Sequence, residues 1–272
     1  MSTGPTSTGP SAPGQDAAVL AERLINAAKT RTATQPLTAT GYPDLDTAMA
    51  YRVQDAVVAA RTAAGRAIIG AKLGLTSAAK QRQMNVAEPL YGWLTDDMAI
   101  DAGQSLLCGQ FIQPRCEPEI AFLIGRDIEG AGVSAAQVLA ATEAVVAAVD
   151  VLDSRYSGYK FTLADVIADN SSGAGFVLGG VALDPRGLDL RLTGVVLELN
   201  GTLVATAAGA AVLGHPAASV AWLVRKLAAR GMGLSAGQIV LSGALTEAVP
   251  VSPGDVVTAR FDRLGTVEVP CR

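Results

Sequence analysis

Two glutamates two positions apart, Glu117 and Glu119, sit in the otherwise apolar run CEPEIAFLIG over 116–125. On an extended strand, residues i and i+2 share a face, so the two carboxylates point together while Ile120 and Phe122 point the other way. Converging like charges repel, and in a cleft one would take up a proton unless a divalent cation held both ionised. Mg²⁺ is the simplest neutraliser, because it takes oxygen ligands and keeps positions open for water or substrate. The alternative is an amphipathic strand whose two glutamates face solvent, and the spacing alone fits both.

Other polar residues stand in apolar company. Lys72, in IIGAKLGLTS, is an ammonium among small and aliphatic residues, where desolvation would lower its pKa toward the range useful for proton transfer. A snorkelling or carboxylate-paired lysine is the other reading. Asp150 follows the apolar stretch AATEAVVAAV, which has a helical texture, and in DSRY Asp153 and Arg155 are spaced as a local ion pair. ADNSSGAG offers Asp169, Asn170, Ser171 and Ser172 at a turn, suited to hydrogen bonds with a substrate or to an Asx turn. The single histidine, His215, precedes a proline and a helix and reads as a cap; having no other histidine argues against histidine metal sites and a Ser-His-Asp triad.

These residues need a scaffold. Helical spacing runs through DAAVLAERLINAAKTR and through DLDTAMAYRVQDAVVAARTAAG, the second opened by an aspartate cap and closed by glycine. From about residue 67 short β-type runs take over, AIIGAKLGL, EIAFLIG, GFVLGGVAL, GVVLELNGTLVAT, QIVLSGAL, DVVTARF and GTVEVP. Helices are predicted between them at SAAQVLAATEAVVAAV and HPAASVAWLVRKLAARG, and Asn200-Gly201 predicts a two-residue hairpin turn. The expected organisation is a disordered Ser/Thr/Gly/Pro tail over 1–16, a helical region over 17–66 and a mixed, mainly antiparallel β-rich catalytic domain over 67–272, an α+β fold.

The 272 residues are half hydrophobic, enough for a sizeable core, and the net charge of −4 comes without a Lys/Arg cluster. Nucleic acid and anionic membrane are therefore not expected partners, and a small molecule is. No apolar run is long enough to span a bilayer, and the start of the chain lacks the pattern of a signal peptide. Cys108, Cys116 and Cys271 are odd in number and show no metal or redox spacing, which suits a reducing compartment; the reading is cytoplasmic.

Taken in order, GAKLGLTS, EPLYGWLTDDM, IQPRCEPEIAFLI, VDVLDSRY, ADVIADNSS, GAAVLGHPAASVAWL and AGQIVLSGALTEAVPVSPGD resemble the hydratase and decarboxylase branch of the fumarylacetoacetate hydrolase superfamily, enzymes of meta-cleavage aromatic catabolism. The resemblance runs from about residue 40 to the C-terminus. It implies the family's C-terminal β fold and an Mg²⁺ or Mn²⁺ ion held by Glu117, Glu119 and Asp150. The third ligand is usually Glu in such relatives, and the shorter Asp150 implies a shifted ion or a bridging water. The resemblance further implies catalytic roles for Lys72 and Ser172, substrate-binding roles for Ser77, Leu90, Leu94, Arg155 and Asp169, and a small 2-oxo acid as substrate. Homo-oligomers, and association with the companion hydratase or decarboxylase of the pathway, are also implied.

Two reactions of that branch compete. One is decarboxylation of 2-oxo-3-hexenedioate (4-oxalocrotonate) to 2-hydroxypenta-2,4-dienoate; the other is hydration of that dienoate to 4-hydroxy-2-oxopentanoate. In both, a metal on the 1-carboxylate and 2-oxo oxygen stabilises developing negative charge. Leu90 stands in EPLYG where hydratases carry an acidic residue, and DSRYSGYKF and GAAVLGHP lean the same way. Against this, Gly175 replaces an arginine of the decarboxylases, and LTDDM and AWLVRKLA are hydratase-like. The reading favours the decarboxylase, with the hydratase, or a related lyase on another 2-oxo acid, as the alternative. Retention of Lys72, Glu117 and Glu119 argues against a non-catalytic binding protein, and the lone His215 against acylpyruvate hydrolysis.

Overall fold

The computed structural model describes residues 13–83 and 86–272, so most of the expected tail lies outside the described residues. Helix α1 (Pro13–Thr30) and helix α2 (Thr47–Ala63) form the helical start of the fold. Asp46 caps α2 by accepting a hydrogen bond from the Met49 N–H at 2.7 Å, as the aspartate signal predicts. Together with α5 (Leu163–Ala168) they enclose an apolar cluster that includes Leu20, Leu24, Leu37, Val53, Leu90 and Tyr156.

The rest is two sheets. The larger takes the order β2 (Leu90–Thr95), β1 (Ile68–Gly74), β9 (Ile239–Leu241), β4 (Arg115–Ile124), β5 (Thr142–Leu152), β6 (Gly173–Leu183) and β3 (Ala99–Ile100), with β10 (Val249–Pro250) added to β4. Its pairs are antiparallel except β1 with β9 and β3 with β6. The smaller sheet has the order β12 (Gly265–Pro270), β11 (Val256–Phe261), β7 (Gly194–Leu199) and β8 (Thr202–Ala208). The β7–β8 turn is the expected hairpin, with Asn200 and Gly201 at φ 55° and 74°. Helix α3 (Ala78–Gln83) follows β1, while α4 (Ala135–Ala141) and α6 (Pro216–Ala228) pack against each other. Among the described residues no helix is long and apolar enough to cross a membrane.

One expectation is corrected. The segment 134–149 is a helix only to Ala141, and from Thr142 it is β5, a central strand between β4 and β6. A central strand buried on both faces shows no apolar/polar alternation, and its alanines read locally as helix. β2 was not foreseen for the same reason, since all six of its residues are buried.

Register then fixes which side chains share a face. Glu117 lies opposite Asp150 and Asp150 opposite Phe176, while Lys72 and Ala121 both pair with Leu241. Directly paired residues project to the same side, so Lys72, Glu117, Glu119 and Asp150 share one face of the large sheet. That face also carries the small cluster of Leu94, Met98, Ala121, Val146, Ala148, Phe176 and Leu241. The opposite face, with Ile120, Phe122, Val149 and Val151, belongs to the main core.

Candidate metal centre and active-site cleft

β4 contributes the two glutamates at a break in its pairing. Toward β9 and β10 it is paired only at Ala121–Leu123 and at Arg115 and Cys116, and Pro118 falls between. Proline has no N–H to give a ladder, so it fits where a neighbouring strand is interrupted. The chain after β9 fills the break: Ser242 donates its N–H to Ile120 O at 3.1 Å, Leu245 to Pro118 O at 3.0 Å, and Gly243 to the Glu119 carboxylate at 2.5 Å. Gly243 is required there, because at φ 115° a Cβ would stand 2.1 Å from Thr76 Oγ1.

One carboxylate oxygen from each of Glu117, Glu119 and Asp150 lies within 4.8 Å of the others, and all three residues are buried. Lys72, 2 % exposed, brings its Nζ to 2.7 Å from Asp150 Oδ2. Beyond that ion pair, both Asp150 oxygens, like Glu119 Oε1, have no hydrogen-bond partner. Lys80 adds a second ammonium 3.8 Å from Glu117 Oε2. Burial pushes Glu119 well above the usual carboxylate range, and the neighbouring Asp150 adds to the rise against Lys72. Asp150 is pushed up to about 6, again first by burial, with Lys72 opposing and Glu117 reinforcing. Three buried carboxylates, two of them (Glu119 and Asp150) with unpartnered oxygens, are a donor set for a hard cation, and the solvent-facing alternative for the glutamates is excluded by their burial.

Lys72 differs from expectation in one respect. Burial lowers its pKa, but Asp150, then Glu117 and Glu119, more than offset burial and raise it, so it stands as a held ammonium. It also donates to Ser171 O at 3.3 Å.

The turn that carries Ser171 and Ser172 is strained. Asn170, Ser171 and Ser172 all take left-handed φ, at 50°, 57° and 54°. Asn170 holds it in place, its amide donating to Trp93 O at 2.9 Å and its Oδ1 accepting from Trp93 N at 2.8 Å. Beneath it Gly92 is obligatory, since a Cβ would lie 2.5 Å from Asn170 O.

A cleft of about 340 Å³ opens above this centre. Of the expected residues, Lys72, Ser77, Leu90, Glu117 and Ser172 line it, and Glu119 and Asp150 lie behind them at the metal centre. Leu94, Arg155 and Asp169 do not line it. Leu94 is in the interior cluster. Arg155 pairs with Asp169 rather than with Asp153, donating through Nε and its backbone N–H to the Asp169 carboxylate, while Asp153 accepts the N–H groups of Ile112 and Gln113. Asp169 also accepts from the Ser172 hydroxyl at 3.4 Å, so Arg155 and Asp169 brace the serine turn from behind. Gly175 faces away too, because it pairs with Val151, and a Cβ there would meet Ile100 and Met98. His215 is the expected cap, its Nδ1 accepting from Ala217 N at 3.0 Å.

The sequence reading missed Arg115, Lys80, Tyr159 and Phe161, which also line the cleft. Only Arg115 carried a signal, being two residues before Glu117 and hence on the same face of β4.

The chain is similar in sequence and in fold to proteins of known activity. The chain is 45% identical over 232 residues to the 4-oxalocrotonate decarboxylase of Pseudomonas sp. (strain CF600), covering 85% of this chain and 88% of that one. It is 39% identical over 226 residues to the 2-keto-4-pentenoate hydratase of Paraburkholderia xenovorans (strain LB400), covering 83% and 84%. Its fold superposes on the 4-oxalocrotonate decarboxylase from Pseudomonas putida G7, solved with magnesium and adipate, with a TM-score of 0.93 at 39% identity, over 97% of this chain and 100% of that one. The Fumarylacetoacetate (FAA) hydrolase C-terminal family matches residues 62–272, and with these relatives it establishes that the chain belongs to the fumarylacetoacetate hydrolase family.

Proposed function

We propose that the protein is a divalent-metal-dependent lyase that decarboxylates 2-oxo-3-hexenedioate to 2-hydroxypenta-2,4-dienoate. Mg²⁺ held by Glu117, Glu119 and Asp150 would supply Lewis-acid stabilisation of the negative charge that develops on the 2-oxo oxygen. Support comes from the decarboxylase relatives and from the G7 decarboxylase, whose bound adipate is a six-carbon dicarboxylate like the proposed substrate.

The chain's own residues do the rest. The C5–C6 bond breaks, CO₂ leaves, and the bonding pair moves through the conjugated system to the 2-oxo oxygen. Lys72, buried with its Nζ 2.7 Å from Asp150 Oδ2, serves as the proton donor to that oxygen. The Ser171–Ser172 turn and the Ser77 hydroxyl orient the substrate, and Leu90, Leu152, Phe161 and Val166 keep water from the reacting carbons.

The observation that carries decarboxylation over hydration is Leu90. It is 1 % exposed and lines the cleft beside Lys72, leaving an apolar wall where hydration needs a carboxylate to activate water. Among the described residues the one lining carboxylate outside the metal centre is Glu247, exposed, and it is the feature that keeps hydration as the second reading. The three free, buried cysteines fit a reducing compartment, and we read the enzyme as cytoplasmic. A paired assay on Mg²⁺-loaded protein tests the choice: CO₂ release from 2-oxo-3-hexenedioate is expected, and loss of 2-hydroxypenta-2,4-dienoate absorbance without CO₂ release would make the protein a hydratase.

A further inference from the structure

We infer that Arg115 binds the second carboxylate of the substrate and is the residue that selects a dicarboxylic 2-oxo acid over a monocarboxylic one. This rests on the function proposed above. A 2-oxo diacid whose first carboxylate lies at the metal centre brings its second carboxylate into the same cleft, past Leu90, Leu152, Phe161 and Val166. Burying that charge unpaired is costly, so the cleft needs a cation free to meet it.

Three cations line the cleft. Lys72 is committed to Asp150 at 2.7 Å, and Lys80 stands 3.8 Å from Glu117. Arg115 is uncommitted: among the described residues it enters no ion pair. Its guanidinium carbon sits over the Tyr159 ring, 4.0 Å from the centroid, and the Tyr159 hydroxyl is itself fixed by donation to Gln113 O at 3.2 Å. Stacking of this kind holds the guanidinium in position while leaving its edge N–H groups free for a carboxylate.

The spacing is right for the task. Arg115 and Glu117 are i and i+2 on β4, on one face, with Cα atoms about 6.6 Å apart along a strand. Both side chains line the same cleft, so a diacid with one end at the metal centre has Arg115 on the same wall. The guanidinium contacts the carboxylate that departs as CO₂ and does not follow the charge to the 2-oxo oxygen. Its contribution is therefore to binding and selection, and it raises rather than lowers the barrier from the bound state.

Calorimetric binding of two unreactive probes to the Mg²⁺-loaded protein tests this. 2-Oxoadipate carries both carboxylates, and 2-oxohexanoate lacks the second. Wild type is expected to bind 2-oxoadipate ~10-fold or more tightly than 2-oxohexanoate, the range of one charge-assisted hydrogen-bonded pair. Arg115→Met should erase that preference while leaving 2-oxohexanoate affinity unchanged, which also shows the variant is folded, and Arg115→Lys should restore part of it. A preference that survives in Arg115→Met overturns the assignment and leaves the proposed function standing. A wild type with no preference overturns the diacid reading itself, and the assignment with it.

Discussion

Removing the metal should make the protein less stable as pH rises, and restoring it should cancel that loss. In the metal-free protein Asp150 titrates at about 6 because of burial, against about 3.9 in an unfolded chain. A folded pKa above the unfolded one means that the native state binds the extra proton. The stability it contributes is then fully present below about pH 4 and is lost as pH rises through about 6. Two pK units correspond to about 3 kcal/mol, or a melting shift of about 6–12 °C for a chain of this size. Glu119, raised further by burial and Asp150, has the same sign and carries the loss to higher pH. Asp169, pushed up to about 6 by burial against Arg155, also has this sign, but it lies behind the serine turn and contributes equally with and without the ion. The difference between melting curves in EDTA and in excess Mg²⁺, taken from about pH 5 to pH 8, therefore isolates Glu119 and Asp150. It should widen with pH as the ion replaces protons. Curves that run parallel across this range would refute the reasoning.

Three further outcomes follow. Glu117→Gln should weaken Mg²⁺ binding by at least tenfold in a titration followed by calorimetry while leaving the fold intact, because Glu117 lines the open cleft. Gly243→Ala should lower stability by about 1–3 kcal/mol in urea unfolding, since its φ of 115° and the 2.1 Å approach to Thr76 leave no room for a methyl group. Asp169→Asn should cost about 3–5 kcal/mol by leaving the buried Arg155 guanidinium without its anion, whereas a neutral result would mean that the pair does not brace the turn.

Much of this was legible in the sequence because it depends on local periodicity. The i, i+2 rule put Glu117 and Glu119 on one face, and the caps at Asp46 and His215 and the Asn200-Gly201 turn are decided within a few residues. What stayed hidden depends on pairing between distant segments. β5 looked helical because a strand buried on both sides carries no alternation, so only the resemblance set Asp150 with Glu117, and the register supplies the physical reason. The Arg155–Asp153 pair was inferred from proximity in the chain, and Asp169, fourteen residues on, captured the arginine instead. Arg115 passed unnoticed because nothing in IQPRCEPE shows that Tyr159 will lie beneath it and that no carboxylate will claim it. Lys72 was read as desolvated, which is correct, but three converging carboxylates decide its charge.

The most direct test of the metal-dependent decarboxylation is a titration of EDTA-stripped protein with Mg²⁺ while CO₂ release from 2-oxo-3-hexenedioate is followed. The carboxylate centre predicts no release from the stripped protein, recovery that saturates at one ion per chain, and no recovery in Glu119→Gln. Release that persists after stripping, or that returns fully in that variant, would contradict it.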